Sequence, residues 1–182
     1  MQLYAYAILA AGWLAWMARF LIVQRSSGHA QKVDRRARWG IFLELIAYAL
    51  LWQNHFWERP LPLWRLALSV LFFTLAALLS WTAVPALGRH WRIDAALSSD
   101  HQLVTTGPYG IVRHPIYTSM LCMVFGTGFM ITPLRTLLVA SLIFVMGTEI
   151  RVRVEDELLA ARFGEQFLAY RRSVPAYVPF LR

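Results

Sequence analysis

Long apolar runs dominate this 182-residue sequence and restrict the folds that it can adopt. A hydrocarbon core of about 30 Å is crossed by about 20 apolar residues in a helix. Five runs approach or reach that length, at residues 3–23, 40–57, 63–87, 116–131 and 134–148. Only 15% of the residues are charged, which leaves too little polar surface to cover such runs in water. We therefore expect an all-α integral membrane protein with about five transmembrane helices.

The spacing of the runs divides the chain into two regions. Residues 1–87 hold three of the runs, and we expect them to form an N-terminal three-span membrane region whose third run is interrupted near its end by Pro85. The first run lacks the basic start and the cleavage site of a signal peptide, so we expect it to be a retained span. In residues 88–182, only Thr132-Pro133 separates the last two runs, which predicts a tight helical hairpin. A charged helix should begin at Glu149 after that hairpin.

Basic residues are distributed unevenly among the segments between the runs. If the N-terminus lies outside, the inner segments 24–39, 88–115 and 149–182 hold five, three and six Lys or Arg residues. The outer loops then hold three, Arg59, Arg65 and Arg135. Cytoplasmic loops carry such an excess of Lys and Arg. We therefore expect residues 88–115 and the C-terminal tail to face the cytoplasm together.

The same distribution excludes several classes of function. The formal net charge is +8, but the cations lie between apolar runs and not on a polar face with stacking aromatics. We therefore expect membrane lipids as partners and no nucleic acid. The sequence has a single cysteine, Cys122, inside an apolar run. An intramolecular disulfide and zinc sites of the Cys₄ or Cys₂His₂ type are thereby excluded, and no metal site is expected.

A polar segment before the hairpin, residues 101–114, concentrates residues able to bind a ligand, and we call it the strap. Gly107-Pro108 predicts a turn. Pro115 should keep His114 out of the helical conformation and begin the next helix itself. A helix N-terminus favours an anion such as a ligand carboxylate. Ligand binding and an interfacial belt that anchors the span both remain open for Tyr109, Arg113 and His114 of the strap and for Tyr117 just after it.

A second candidate group lies on the charged helix after the hairpin. Arg151 and Glu155 are four residues apart, so they share a helix face on the expected cytoplasmic side. The alternative is a solvated helix that leaves the membrane. Glu44 lies within the second apolar run, where a carboxylate is a candidate for function. A position at the cytoplasmic interface is equally compatible with the sequence, because that run begins at Gly40.

The ordered set of motifs resembles the isoprenylcysteine carboxyl methyltransferase family of integral membrane enzymes. The resemblance covers residues 88–182, whereas the first two runs match nothing more specific than membrane helices. The residues that carry it are Leu103-Val104-Thr105-Thr106-Gly107-Pro108-Tyr109, Arg113-His114-Pro115-Ile116-Tyr117, and Arg151, Glu155-Asp156, Leu159, Phe163-Gly164, Tyr170, Val174-Pro175 and Pro179. Two positions depart from the family pattern: Asp156 replaces a second Glu, and Thr118-Ser119 replaces a Gly.

This resemblance implies a cofactor, S-adenosyl-L-methionine, and a set of residues that bind it. Arg151 corresponds to an arginine associated with the substrate carboxylate and is the candidate catalytic residue. Glu155 corresponds to an acidic residue that contacts the cofactor. The other implied cofactor-binding positions are His101, Gln102, Leu103, Val104, Tyr109, His114, Pro115, Ile116 and Tyr117.

The implied reaction is carboxyl O-methylation of a lipophilic, isoprenoid-type substrate that enters from the bilayer. It needs no general base, because a carboxylate is already anionic at neutral pH. Two alternatives remain open. One is a phospholipid-type N-methyltransferase, in which the arginine would meet a phosphate. The other is a non-catalytic membrane subunit that retains the framework. The sequence leaves the oligomeric state open.

Overall fold

The structure is a computed structural model that describes residues 3–22, 32–53, 60–88, 96–97 and 102–178. These residues form six helices: α1 (Leu3–Ile22), α2 (Ala37–Leu51), α3 (Leu63–Leu87), α4 (Pro115–Ile131), α5 (Leu134–Phe163) and α6 (Glu165–Ser173). A 3₁₀ turn spans Gly107–Gly110. The strands β1 (Lys32–Val33) and β2 (Ala96–Leu97) form one short antiparallel pair, with Lys32 opposite Leu97. The predicted helical class is confirmed for the part of the chain described.

The helices follow the predicted runs with some differences. Helix α2 begins at Ala37 and ends at Leu51, whereas its predicted run covers residues 40–57. The interruption expected at Pro85 is absent, because α3 continues through it to Leu87. Proline removes only one hydrogen bond there, and the fully buried Ala83 and Val84 hold the last turns in place. The charged helix expected from Glu149 is no separate element, because it is the second half of the 30-residue α5. The tight hairpin between α4 and α5 is present, with only Thr132 and Pro133 between its helices.

Helix α4 is the centre of the packing. On one side, Met123 of α4 packs with Phe73 of α3 and with residues of α1 in one buried apolar cluster. On the other side, Val124 packs with Leu51 of α2 and Phe144 of α5 in a second cluster. Because consecutive residues of α4 serve the two clusters, this helix joins α1 and α3 to α2 and α5. Cys122 is buried in the first cluster, as its apolar context predicts.

Arg65 differs from its expected place in an outer loop. It lies in the first turn of α3 and is buried, with its side chain directed at the C-terminal end of α4. Its Nε donates to the carbonyl oxygen of Phe129 at 2.6 Å, and Nη2 donates to the carbonyl oxygens of Gly128 and Thr132. A cation at a helix C-terminus complements the helix dipole and the carbonyl oxygens of the last turn. Arg65 therefore ties the start of α3 to the turn of the hairpin.

Two of the described helices, α1 and α3, are long and apolar enough to cross a membrane, and α4 is a shorter apolar helix. The outer faces of the helices expose large apolar side chains, as lipid contact requires. On α2 and α5 these include Phe42, Leu45, Leu138, Leu142 and Met146. The total of about five spans and the cytoplasmic position of the strap stay predictions.

Helices α2 and α5 approach each other closely at two glycines. A Cβ atom added to Gly40 would lie 2.5 Å from the carbonyl oxygen of Gly147, and one added to Gly147 would lie 2.7 Å from that of Gly40. Any larger residue would therefore force the helices apart. This contact places the next turns of the two helices, which carry Glu44 and Arg151, against each other.

Candidate functional site

The strap has the conformation that Pro108 within it and Pro115 after it predict. Gly107, with φ of 62°, opens the 3₁₀ turn, and Tyr109 of that turn is buried. His114 has φ of −127° and ψ of 62°, outside the helical region, and Pro115 is the first residue of α4. The strap therefore delivers the His114 side chain to the start of α4, one turn before Tyr117.

Two carboxylates of α5 meet the His114 ring. Its Nε2 lies 3.0 Å from Oδ1 of Asp156, and its Nδ1 lies 3.3 Å from Oε2 of Glu155. The Tyr117 hydroxyl donates a hydrogen bond to Oε1 of Glu155. His114 and Asp156 are buried, whereas the side chain of Glu155 is 27% exposed. Glu155 is thus the carboxylate of this group that a ligand can reach.

The opposite charges in this cluster stabilise the ionised forms of its side chains. Burial alone would lower the pKa of His114, but hydrogen bonds to Asp156 and Glu155 outweigh it and raise the pKa from 6.5 to about 9. Burial alone would raise the pKa of Glu155 and Asp156, but the hydrogen bonds to His114 outweigh it and lower both. At neutral pH the imidazolium therefore donates from both ring nitrogens to two ionised carboxylates.

Arg113 links the strap to α5 and to the tail segment, residues 164–178. Its Nη2 donates to Oδ2 of Asp156 at 2.9 Å in a pair that is largely buried. Its Nη1 donates to the carbonyl oxygens of Arg171 and Val174. One guanidinium therefore binds the carboxylate of α5 and the backbone of the tail segment at the same time.

Further hydrogen bonds hold the tail segment over the strap. The amides of Arg113 and His114 each donate at 2.8 Å, to the carbonyl oxygens of Pro175 and Ala176 respectively. The Tyr170 hydroxyl donates to the carbonyl oxygen of Tyr109 at 2.6 Å. The tail segment therefore covers the strap.

Arg151 lies beside this cluster and is 8% exposed. Its guanidinium carbon is 4.7 Å from the centre of the Tyr117 ring, a distance typical of a cation–π contact. Its Nη1 donates to Oε2 of Glu44 at 2.8 Å, and the Thr148 hydroxyl donates to Oε1 of Glu44 at 3.1 Å. Tyr117 is therefore shared between Arg151, which lies over its ring, and Glu155, which accepts from its hydroxyl.

Several residues predicted from the sequence come together here. His114, Tyr117, Arg151 and Glu155 form one contiguous group, and Pro115 and Ile116 are the first turn of α4 between them. The remaining predicted residues are more dispersed. Leu103 and Val104 are half-buried in the extended lead to the 3₁₀ turn, Gln102 is exposed, and His101 lies outside the described residues. The roles of all these residues toward a cofactor stay predictions.

Two members of the group are absent from the predicted site. The motifs identify Asp156 only as a replacement for a second Glu, yet it is buried and binds both Arg113 and His114. The sequence allows Glu44 either a functional role or a position at the interface, and the structure pairs it with Arg151, 107 positions away. A carboxylate in an apolar run was the available signal, but helical periodicity identifies no partner at that separation.

Two features of the group fit the implied cofactor, which carries a sulfonium, an amino group and several polar oxygens and nitrogens. The Tyr109 hydroxyl is buried and has no hydrogen-bond partner among the residues that the structure describes. Burial, followed by the nearby charge of Glu155, raises the pKa of Tyr109 well above its ordinary value, so this hydroxyl is a neutral donor. Glu155 supplies a partly exposed negative charge for a cationic ligand. In the described ranges, no group of three His, Cys, Asp or Glu residues is placed to hold a metal ion.

Comparisons with known proteins identify a family and several relatives. The model of the phospholipid methyltransferase family matches residues 64–166. The cobalt-zinc-cadmium resistance protein CzcN of Cupriavidus metallidurans is 32% identical over 144 residues, which are 79% of this chain and 62% of that protein. Protein-S-isoprenylcysteine O-methyltransferase B of Arabidopsis thaliana is 31% identical over 65% of this chain and 61% of its own length. The mouse protein-S-isoprenylcysteine O-methyltransferase is 28% identical over 71% of this chain and 47% of its own.

These matches confirm the resemblance derived from the motifs. The chain spans about three fifths of the length of the first two relatives. The segment matched by the family model includes the strap, the hairpin and both Arg151 and Glu155. Glu44 lies outside it, so one member of the buried group comes from beyond the matched segment, and so does most of the tail segment that covers the strap.

Proposed function

This chain belongs to the phospholipid methyltransferase family, and on that basis we propose that it is a methyltransferase that uses S-adenosyl-L-methionine to methylate the carboxylate of a lipophilic, isoprenoid-type substrate. Its two long apolar helices and its family make it a membrane protein. The observation that carries the proposal is the contact of Tyr117 with both Arg151 and Glu155. This contact joins a candidate carboxylate-binding cation to a candidate cofactor-binding carboxylate.

The cofactor would be held between the strap and α5. Glu155 would face its positive charge, and the Tyr109 hydroxyl would donate to one of its polar atoms. The first turn of α4, with Pro115, Ile116 and Tyr117, and the lead-in residues 101–104 would contribute the remaining contacts. The tail segment covers this region and supports the exclusion of water from the reacting atoms.

When bound, S-adenosyl-L-methionine would supply a methyl group carried on a sulfonium. A carboxylate oxygen of the substrate would form the new C–O bond with its own electron pair, and the electron pair of the broken C–S bond would return to sulfur. No proton would need to move. Arg151 would bind the carboxylate and aim one oxygen at the methyl carbon. The Tyr117 ring and Glu44 hold the guanidinium from two sides, which restricts its orientation. Positioning of this kind is a large part of catalysis when the nucleophile is already anionic.

The charge balance of the buried group favours an anionic acceptor. Arg113, His114 and Arg151 provide three positive charges, and three carboxylates, those of Glu44, Glu155 and Asp156, pair with them. The cofactor adds a net charge of about +1 at neutral pH, because its amino and sulfonium groups outnumber its one carboxylate. A substrate with one negative charge, such as a carboxylate, restores neutrality, whereas a neutral substrate leaves one uncompensated charge in a poorly solvated place.

The fold suggests how a lipophilic substrate reaches this site. We propose about five spans with the N-terminus outside and the strap on the cytoplasmic side, in keeping with the excess of basic residues in the segments 24–39, 88–115 and 149–182. The substrate would then enter sideways from the bilayer, between helices whose outer faces are already apolar.

A second candidate is methylation of a phospholipid amine. The description of the matching family favours it, since the model is that of the phospholipid methyltransferases. In that reaction Arg151 would bind the phosphate group of the lipid. Arginine binds phosphate and carboxylate groups in the same bidentate way. The amine nitrogen would then need to be neutral to attack the methyl carbon.

A direct assay separates these candidates. Detergent-purified protein is incubated with methyl-labelled S-adenosyl-L-methionine and either N-acetyl-S-farnesyl-L-cysteine or phosphatidylethanolamine in mixed micelles. The proposal predicts label in the farnesylated acid as a base-labile ester, and none after Arg151→Ala. Label in phosphatidylethanolamine alone would replace the first candidate by the second. Absence of transfer to either acceptor by folded protein would favour a non-catalytic subunit.

A further inference from the structure

Glu44 belongs to a part of the chain that neither the motifs nor the family model connects with the reaction. It lies in α2, and the matched segment begins twenty positions later, at residue 64. Yet its carboxylate is 3% exposed and lies in the same buried group as Arg151 and Tyr117. Burying a carboxylate this completely costs free energy unless the group is paired, so Glu44 requires a specific partner.

The backbones of α2 and α5 lie close enough to bring Glu44 and Arg151 together. Gly40 and Gly147 allow α2 and α5 to touch, and each precedes the charged residue of its helix by one turn. Both oxygens of Glu44 are engaged by α5, one by Nη1 of Arg151 at 2.8 Å and one by the Thr148 hydroxyl at 3.1 Å. The carboxylate is therefore fixed in orientation and in turn fixes one edge of the guanidinium.

We propose that Glu44 is a positioning residue of the methyl-acceptor site. It fixes the position and the plane of the Arg151 guanidinium, so that the bound carboxylate of the substrate is aimed at the methyl group. This inference rests on the function proposed above. Tyr117 supports the face of the guanidinium from below and Glu44 holds its edge, so two elements outside α5 determine where the cation points. The site therefore includes the N-terminal region as well as residues 88–182.

The proposal predicts an effect that a merely structural ion pair would not have. Removing the negative charge of Glu44 leaves the group more positive, so an anionic acceptor should bind as well as before or better. The guanidinium is then less firmly oriented, and a small misplacement costs a large factor in rate. The expected signature is a lower kcat without a higher KM for the acceptor, together with unchanged affinity for S-adenosyl-L-methionine.

The test compares two variants of Glu44 with a matched control. Glu44→Gln keeps the shape and an acceptor oxygen for Arg151, so kcat for N-acetyl-S-farnesyl-L-cysteine should fall by about tenfold. Glu44→Ala removes both, and kcat should fall by about 10²-fold. The control is Glu165→Gln, a glutamate whose side chain is 85% exposed at the start of α6, and it should behave as wild type. Calorimetric binding of S-adenosyl-L-methionine is measured for all four proteins.

The outcomes separate this inference from the proposed function. Wild-type turnover with unchanged kcat in Glu44→Ala overturns the role of Glu44 and leaves the proposed function standing. A higher KM with unchanged kcat in Glu44→Gln also overturns it, because it shows simple acceptor binding. Wild-type protein that transfers no methyl group to the acid contradicts the proposed function, and the role of Glu44 is overturned with it. If Glu44→Ala does not fold, the kcat and KM of Glu44→Gln decide the question alone.

Discussion

The Arg151 guanidinium lies over the Tyr117 ring, 4.7 Å from its centre, while the hydroxyl of the same tyrosine donates to Glu155. One side chain of α4 therefore contacts the two residues of α5 to which different ligands are assigned. A rigid aromatic ring suits this position, because it supports a cation on its face and binds an anion at its edge through the hydroxyl. The two halves of the site, the acceptor half at Arg151 and the cofactor half at Glu155, can therefore be tested separately at Tyr117.

Tyr117→Phe keeps the ring beneath Arg151 and removes only the hydrogen bond to Glu155. Glu155 would then be oriented by His114 alone, so affinity for S-adenosyl-L-methionine should fall, by about tenfold if the lost bond contributes about 1.5 kcal/mol to holding the carboxylate toward the cofactor. The acceptor KM should change little, because the cation–π contact is intact. Calorimetry and steady-state kinetics on the same preparation check both statements. A raised acceptor KM with normal cofactor affinity would reverse the assignment of the two halves.

Arg151→Ala should reduce turnover by at least about 10²-fold while leaving cofactor binding largely intact. The reason is that the variant removes the group that orients the acceptor, and Glu155 keeps its bonds to His114 and Tyr117. Arg151→Lys is the informative companion, since lysine keeps the charge but lacks the planar fork, and it should recover only part of the rate. Normal turnover in Arg151→Ala would show that another cation binds the acceptor.

Stability should depend on pH through His114. Its pKa is raised to about 9 in the folded protein from 6.5, so its contribution is complete below pH 6.5 and is lost as the pH rises through about 9. The unfolding temperature of wild-type protein in detergent should therefore fall across that interval. His114→Gln should show a smaller fall, because its side chain does not titrate. Identical pH profiles for the two proteins would mean that the ring is not held as an imidazolium.

Arg113 stabilises the contact between the tail segment and the strap. Arg113→Ala removes its bonds to Asp156 and to the carbonyl oxygens of Arg171 and Val174. The amide of His114, which donates to Ala176, should then exchange with solvent faster, as hydrogen-exchange mass spectrometry of the strap can measure. Arg135→Ala is the control, since this exposed residue lies at the opposite end of the hairpin. Equal protection in both variants would mean that backbone contacts alone hold the tail segment.

Local features of the fold were predictable from the sequence because they depend on residues close together in the chain. Pro115 sets the conformation of His114 and begins α4, and Thr132-Pro133 sets the turn of the hairpin, whatever the rest of the protein does. The motifs then identified Tyr117, Arg151 and Glu155, which the structure brings together. These predictions needed no knowledge of packing.

Contacts between distant segments were not predictable in this way. Glu44 and Arg151 meet because α2 and α5 touch at Gly40 and Gly147, and helical periodicity states which face is apolar without naming the neighbouring helix. The sequence does not reveal the buried position of Arg65, because its partners are backbone carbonyls at the end of α4, which leave no trace in side-chain patterns. Long-range polar pairs of this kind follow from the arrangement of the helices.

Calorimetry on detergent-purified protein measures whether the group around Tyr117 and Glu155 binds S-adenosyl-L-methionine. We expect saturable binding by the wild type and loss of that binding in both Tyr117→Ala and Glu155→Ala, with Glu165→Gln binding normally. If folded wild-type protein binds no S-adenosyl-L-methionine, or if the two alanine variants bind it as the wild type does, the cofactor does not bind at this group.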